Sequence, residues 1–316
     1  MSIRSIIGRM LKSWQLVSCF FSDYVYYKKH NLGAGVHDKD HLEANIMLVM
    51  HQLEKGMSFT CSKRVFGGDK AMGLVNMLRE FLQKYGMNDV CKIAINVLYE
   101  YSKRDNSTQD LHIRKDIDSL CSEYKDVISD NYAGVKVISE PPVFNKQIIE
   151  EFFNTRSSVR EYSDIPVTDE EYRKALAFAS CTPSACNRQA SRVHYYNVKE
   201  VIKRLVDNQL GNQGWCDNAS ACFVVTVNAS YFGGGYERCE ALIDGGLYAM
   251  NFVWGLHLNH IATCFKMFVR DPKREKKFKR IANIPENEIP IVLIMAGHYK
   301  SEPVASPKSV RRDVIV

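Results

Sequence analysis

Apolar residues recur at three- and four-residue intervals through the first 140 positions of the chain. Leu74, Leu78, Phe81 and Leu82 make one such stripe, and Ile93, Val97 and Tyr101 make another. The pattern predicts helices over residues 3–29, 41–55, 70–85, 89–103 and 108–128, with breaks at Gly86-Met87-Asn88 and at 104–107. Residues 53–59 read as a candidate lid, in which Gly56 ends a helix in a left-handed turn and Met57 and Phe59 could cover a flat ligand. Pro141-Pro142 stops helical structure and favours extended backbone, so 134–143 reads as a link.

Beyond the link the pattern changes. A short helix is expected over 145–153. Thr168 followed by Glu171 is a capping box that opens a helix over 169–180. Apolar, β-branched runs predict strands at 192–198, 221–227, 262–269 and 289–296. Helices at 199–209, 237–259 and 272–282 separate them, the last entered through Asp271-Pro272, a cap followed by proline at the first position. The expectation is an α+β chain: a three-layer mixed α/β domain over 141–316, preceded by a helical region over 1–140 that is a candidate cap. The helix over 237–259 is apolar on more than one face, so it should be buried on more than one face. Gly245 and Gly246 inside it each cost about 1 kcal/mol relative to alanine. Close backbone approach by a partner is the expected compensation.

Candidate chemistry concentrates between Asn154 and Gln189. Arg156, Ser157, Ser158 and Arg160 offer guanidinium forks and hydroxyl donors within five residues, a composition suited to a phosphate. Ser184-Ala185-Cys186-Asn187-Arg188-Gln189 ends in two side-chain amides, each with a donor and an acceptor, which suits the edge of a polar heterocycle. Together they suggest a nucleotide-like ligand. A Rossmann spacing of glycines is absent, and Gly233-Gly234-Gly235 reads as a loop near the pocket.

Arg-x-Ser-x-Arg before an aromatic, followed by Pro-Val and a helix start, then Pro-Ser-x-x-Asn-x-Gln, resembles the FMN-dependent nitroreductases. The resemblance runs from about Val143 to the end of the chain. It implies that Arg156, Ser157, Ser158, Arg160, Ser184, Asn187 and Gln189 bind FMN. It also implies that Lys308 and Arg311, with Arg312 as the competing choice, close over its phosphate. It further implies a homodimer built on the 237–259 helix with FMN at the interface. The activity implied is hydride transfer from NAD(P)H through the flavin to a small organic acceptor such as a nitroaromatic, quinone or enone. No catalytic side chain is required, because the flavin carries the redox chemistry. The alternatives are a flavin-binding or assembly protein without nicotinamide turnover, and a specialised dehydrogenating, dehalogenating or flavin-fragmenting enzyme. Ala190-Ser191 stand where the family commonly has Pro-Trp.

Composition narrows the rest. Apolar residues at 46% and charged residues at 25% suit a globular chain with a sizeable core. A net charge of +6 over 316 residues suits an anionic cofactor, and no dense basic face argues for nucleic acid. The ten cysteines are scattered without a C-x-x-C pair, so no metal site is expected and a reducing, cytoplasmic setting is. The apolar stretch over 14–27 falls short of the ~20 residues that an integral membrane segment needs, and no cleavage site follows it. An amphipathic segment of this kind can still touch a membrane peripherally.

Overall fold

Side-chain alternation in the strands decides the layers. A computed structural model describes residues 3–59, 65–105, 107–129, 133–136, 138–212 and 214–306. Four strands, β1 (Ser191–Tyr196), β2 (Ala221–Asn228), β3 (Ile261–Met267) and β4 (Glu288–His298), pair antiparallel in the order β1-β2-β4-β3. Ala221, Phe223 and Val225 point to one face of central β2, and Cys222 and Val224 point to the other. Every β2 residue is buried, as expected of a strand covered on both faces. Helices α7 (Asp169–Ala179) and α9 (Glu240–Leu258) cover the first face, and α8 (Lys199–Asp207) and α10 (Pro272–Ala282) the second. The result is the three-layer α/β arrangement that the sequence predicts.

Both predicted caps form. The Thr168 side chain accepts from the Glu171 amide while Glu171 reaches back to Thr168, and Asp271 accepts from the Arg274 amide ahead of α10. Where α7 crosses α9, a Cβ on Gly255 would stand 2.8 Å from the Ala175 backbone, so only glycine permits that approach.

The preceding helices are α1 (Ile3–His30), α2 (Lys39–Met57), α3 (Gly68–Tyr85), α4 (Asp89–Ser102) and α5 (Leu111–Glu123); α6 (Lys146–Thr155) leads into the sheet half. Helix α5 starts three residues later than its apolar pattern suggests. Tyr101 Oη takes the Thr108 amide at 2.9 Å, and Asp110 caps the helix instead. Gly56 also departs from expectation: it lies within the last turn of α2 and lacks the left-handed backbone. A Cβ there would meet the Phe66 ring at 2.2 Å, so the glycine makes room for an aromatic contact.

The core of the helical half, including Leu53, Leu78, Phe81 and Tyr101, runs on into Val227, Tyr231 and Phe232 of the sheet half. Polar contacts follow the same seam. Asp40 accepts from Asn228 at 2.9 Å and Asn287 at 2.7 Å, and Glu43 accepts from Tyr231 Oη at 2.8 Å.

One buried polar group ties β1 to β4. Glu288 lies 2.7 Å from His194 Nε2 and also accepts from the Thr226 hydroxyl. Burial pushes the Glu288 carboxyl up, but those bonds outweigh it and hold the carboxyl below the ordinary glutamate range. A depressed folded value means that the contribution is full above the unfolded glutamate pKa and is lost as pH falls through the folded one. Urea midpoints measured through the acid range should therefore fall less steeply for Glu288→Gln than for the parent. Parallel acid limbs would show that Glu288 does not carry the effect.

Candidate functional site

Helix α6 ends at Thr155, and the chain leaves through Arg156 in extended backbone. Ser158 then forms a parallel bridge with Thr263 of β3, and the Val159 amide donates to Thr263 O at 3.0 Å. This fixes residues 156–160 along the free edge of β3, where they satisfy backbone groups that an edge strand leaves open. Arg156, Ser157 and Ser158 are half-buried and Arg160 is exposed. The Arg160 guanidinium sits 5.8 Å from the Trp215 ring centre. Lys266 Nζ lies 5.7 Å from the centre of the same ring and donates to Leu210 O at 2.7 Å.

Cys264 reports where these charges meet. Burial pushes its thiol up, while Arg160, the Ser158 hydroxyl, Arg156 and Lys266 all pull it back. Geometry agrees: Arg160 and Lys266 lie 5.8 and 5.7 Å from the Trp215 ring centre, and Arg156 stands two residues before the Ser158 bridge to β3, so three cations gather at the β3 edge. None of them pairs with a carboxylate among the described residues. Uncompensated cations held by backbone geometry favour an anion. Lys266 escapes motif reasoning, although a lysine inside an otherwise apolar strand is a visible signal. His257, at the end of α9, closes the same region: it lies 3.1 Å from Thr155 Oγ1 and 3.3 Å from Tyr299 Oη. Burial pushes its pKa down, and the charge of Arg156 adds to that.

The second block is a strained turn. Cys186, Asn187 and Gln189 all have φ near +50°, with values of 51°, 52° and 50°. Three non-glycine residues in that region are costly, so the surroundings must enforce the shape. Arg188 does most of the enforcing. Only 1% exposed, it donates to both Glu237 oxygens at 2.9 Å and to Ala185 O at 3.0 Å, and it stacks 4.9 Å from Phe232. Gly233 also donates to Glu237, which makes the glycine-rich loop a support for the turn. Asp244 accepts from the Ala185 amide at 3.0 Å, and burial pushes its carboxyl up. Ser184 Oγ accepts from the Gln189 amide at 3.0 Å. Asn187 and Gln189 are left exposed, 3.3 Å from each other. Glu237 and Asp244 carry no motif, and only the folded chain shows their part. Because Glu237 serves Arg188, α9 begins at Glu240, three residues after its apolar pattern suggests.

The two blocks do not meet within one chain. Asp244 holds the turn near the start of α9, and His257 holds Thr155 at its end. Thirteen residues of helix separate these points by about 20 Å. Between them α9 presents Leu242, Ile243 and Leu247 outward, exposed by 43%, 53% and 49%, around an unobstructed Gly246. Gly245 is different. A Cβ there would meet Ile291 at 2.6 Å and Val227 at 2.8 Å, so the chain's own sheet, not a partner, demands that glycine. Lys308 and Arg311, expected at the phosphate, lie outside the described residues.

Comparison with known proteins finds a partial family match. Residues 154–210, which hold both blocks, match the model described as Nitroreductase family. A curated protein of Archaeoglobus fulgidus, named "Putative NADH dehydrogenase/NAD(P)H nitroreductase", is 27% identical over 157 residues, which is 47% of this chain and 83% of that protein. Among solved structures, an FMN-dependent nitroreductase from Clostridium difficile R20291 aligns at 19% identity over 53% of this chain and 96% of its own, with a TM-score of 0.45. A nitroreductase with bound FMN from Desulfitobacterium hafniense DCB-2 aligns at 20% identity over 55% of this chain and 98% of its own, with a TM-score of 0.44. Within the α/β half of this chain, residues 154–210 are the segment similar to the Nitroreductase family.

Proposed function

We propose that this protein is an FMN-dependent oxidoreductase that takes reducing equivalents from NAD(P)H and passes them to a small organic acceptor of the nitroaromatic, quinone or enone type. The observation that carries the reading is the convergence of Arg156, Arg160 and Lys266, without a carboxylate partner among the described residues, on the edge of β3. FMN, when bound, supplies the electron transfer itself. Arg156, Arg160 and Lys266 neutralise its phosphate, and the hydroxyls of Ser157 and Ser158 donate to its oxygens. Lys308 and Arg311 complete that clamp in this proposal. Ser184, Asn187 and Gln189 hold the polar edge of the ring.

In this proposal clamp and turn belong to different subunits of a homodimer, a reading supported by their separation of about 20 Å within one chain. An isologous two-fold pairing of α9 sets the end of each helix beside the start of its partner. The exposed Leu242, Ile243 and Leu247 around Gly246 supply an apolar seam for that pairing. The helical region over 1–140 acts as a cap, since α2 packs directly against the 185–187 turn.

The decisive measurement is an absorbance spectrum of the purified protein with its released cofactor weighed, followed by stopped-flow reduction with NADH and NADPH. A yellow protein bleached by either nicotinamide supports the reading. A protein that takes up no FMN sinks it, and a bound flavin inert to both donors converts it to a binding role. Arg156→Ala should weaken FMN binding by about 1–3 kcal/mol, the scale of a hydrogen bond to a charged group. Fluorescence titration of FMN against both proteins checks this, and superimposable curves would remove Arg156 from the clamp.

A further inference from the structure

Helix α1 is anchored only near its end. The Leu32 amide just beyond it donates to Phe232 O at 2.9 Å, Lys29 pairs with Glu286 at 2.9 Å, and Asp23 meets Arg270 at 3.4 Å. From Met10 to Ser18 every residue of the helix is exposed. Ile7, Met10, Trp14, Val17, Phe21 and Tyr24 follow one another at intervals of three and four, which places them on a single face. That face is open: Trp14 is 72% exposed, Met10 68% and Phe21 65%. Leu11, Phe20 and Val25 widen it further, at 64%, 67% and 47%. An unpartnered apolar surface of this width is not a property of a free soluble helix.

Its charge identifies the occupant. Residues 3–30 contain Arg4, Arg9, Lys12, Lys28 and Lys29 against the single acid Asp23, in a chain whose total charge is +6. Arg270 already engages that acid. A second copy of α1 would bring like charges together. The positions flanking the stripe, Leu11, Phe20 and Val25, also lack the paired charges that specify a coiled-coil partner. No helix among the described residues is long and apolar enough to cross a membrane. An apolar face rich in tryptophan and phenylalanine, backed by lysine and arginine, is the composition of a helix lying in a lipid interface.

We propose that α1 is a peripheral anchor that docks the protein on an anionic lipid surface, with Trp14 and Phe21 entering the headgroup boundary and the basic residues held by lipid phosphates. Nothing in this depends on the flavin chemistry. The full chain should be co-sedimented with vesicles of phosphatidylcholine alone and with about a third phosphatidylserine, at low and high salt. Binding is expected on the anionic vesicles only, reduced by salt, with a blue shift of tryptophan emission that is lost in Trp14→Phe. Trp14→Glu/Phe21→Glu should lower the partition coefficient at least about a hundred-fold, since two buried aromatic rings are removed. Lys12→Glu should lower it at least about five-fold on anionic vesicles. Far-ultraviolet dichroism of each variant separates lost binding from lost structure. Equal binding to neutral vesicles, or no binding to either, would overturn the proposal. So would a double variant that turns an oligomer into a monomer in light scattering while binding vesicles like the parent.

Discussion

Replacing Arg188 with alanine should destabilise the fold by about 3 kcal/mol and strip the protein of its capacity for FMN. The physical reason is the position of Arg188 under the strained turn. Its guanidinium is 1% exposed and binds Glu237 through two parallel bonds at 2.9 Å. Breaking a buried ion pair by removing one member costs about 3–5 kcal/mol. Glu237 is only half-buried and can recover water, which puts the expectation at the lower end. The change also deletes the bond to Ala185 O, the one that clamps a turn holding three residues at positive φ. Arg188→Lys keeps the charge but not the planar fork, so it should recover only part of the loss. Urea denaturation with FMN titration checks both statements. A midpoint unchanged in Arg188→Ala would mean that Phe232 and the local backbone hold the turn without the ion pair.

Neighbouring glycines in α9 should behave in opposite ways. Gly245→Val forces a side chain into Ile291 and Val227, which belong to the sheet and cannot retreat, and overpacking of that kind costs about 1–3 kcal/mol. The β4 register slips beside this point, where Thr226 pairs with Pro290 and Val225 with Val292. That bulge re-aims Ile291 towards α9. A Cβ on Gly246 meets nothing within 4 Å in its own chain, so Gly246→Trp starts out into open space. Its thermal midpoint should therefore hold or rise slightly, because glycine is a poor helix former. In the proposed two-fold pairing it should instead yield monomers that no longer retain flavin. Light scattering and the flavin absorbance of the same samples decide the matter. A Gly246→Trp protein that stays dimeric and yellow would place the subunit contact elsewhere.

The secondary structure of this chain is written locally. Apolar, β-branched runs and period-3.6 patterns place the four strands and ten helices of the described residues, because both signals lie within short stretches of the chain. The capping box at Thr168 and the Asp271-Pro272 start are equally local and both form. The Arg156–Arg160 cluster and the Ser184–Gln189 turn are legible as candidates for the same reason, since each is a short run of distinctive composition. What the sequence hides is everything that depends on distant segments arriving together. Lys266 joins the basic cluster only because β3 pairs with the segment at Ser158. Arg188 stands between the two candidate ligand amides, yet Glu237, 49 positions away, pulls it into the core. Gly245 and Gly246 are indistinguishable as letters. The roughly 100° step between neighbours in a helix seats the first on Ile291 and leaves the second open to whatever binds there. The length of α9 is the clearest case: spacing along the chain puts the two blocks close together, while a rigid rod of about 20 Å holds them at its opposite ends.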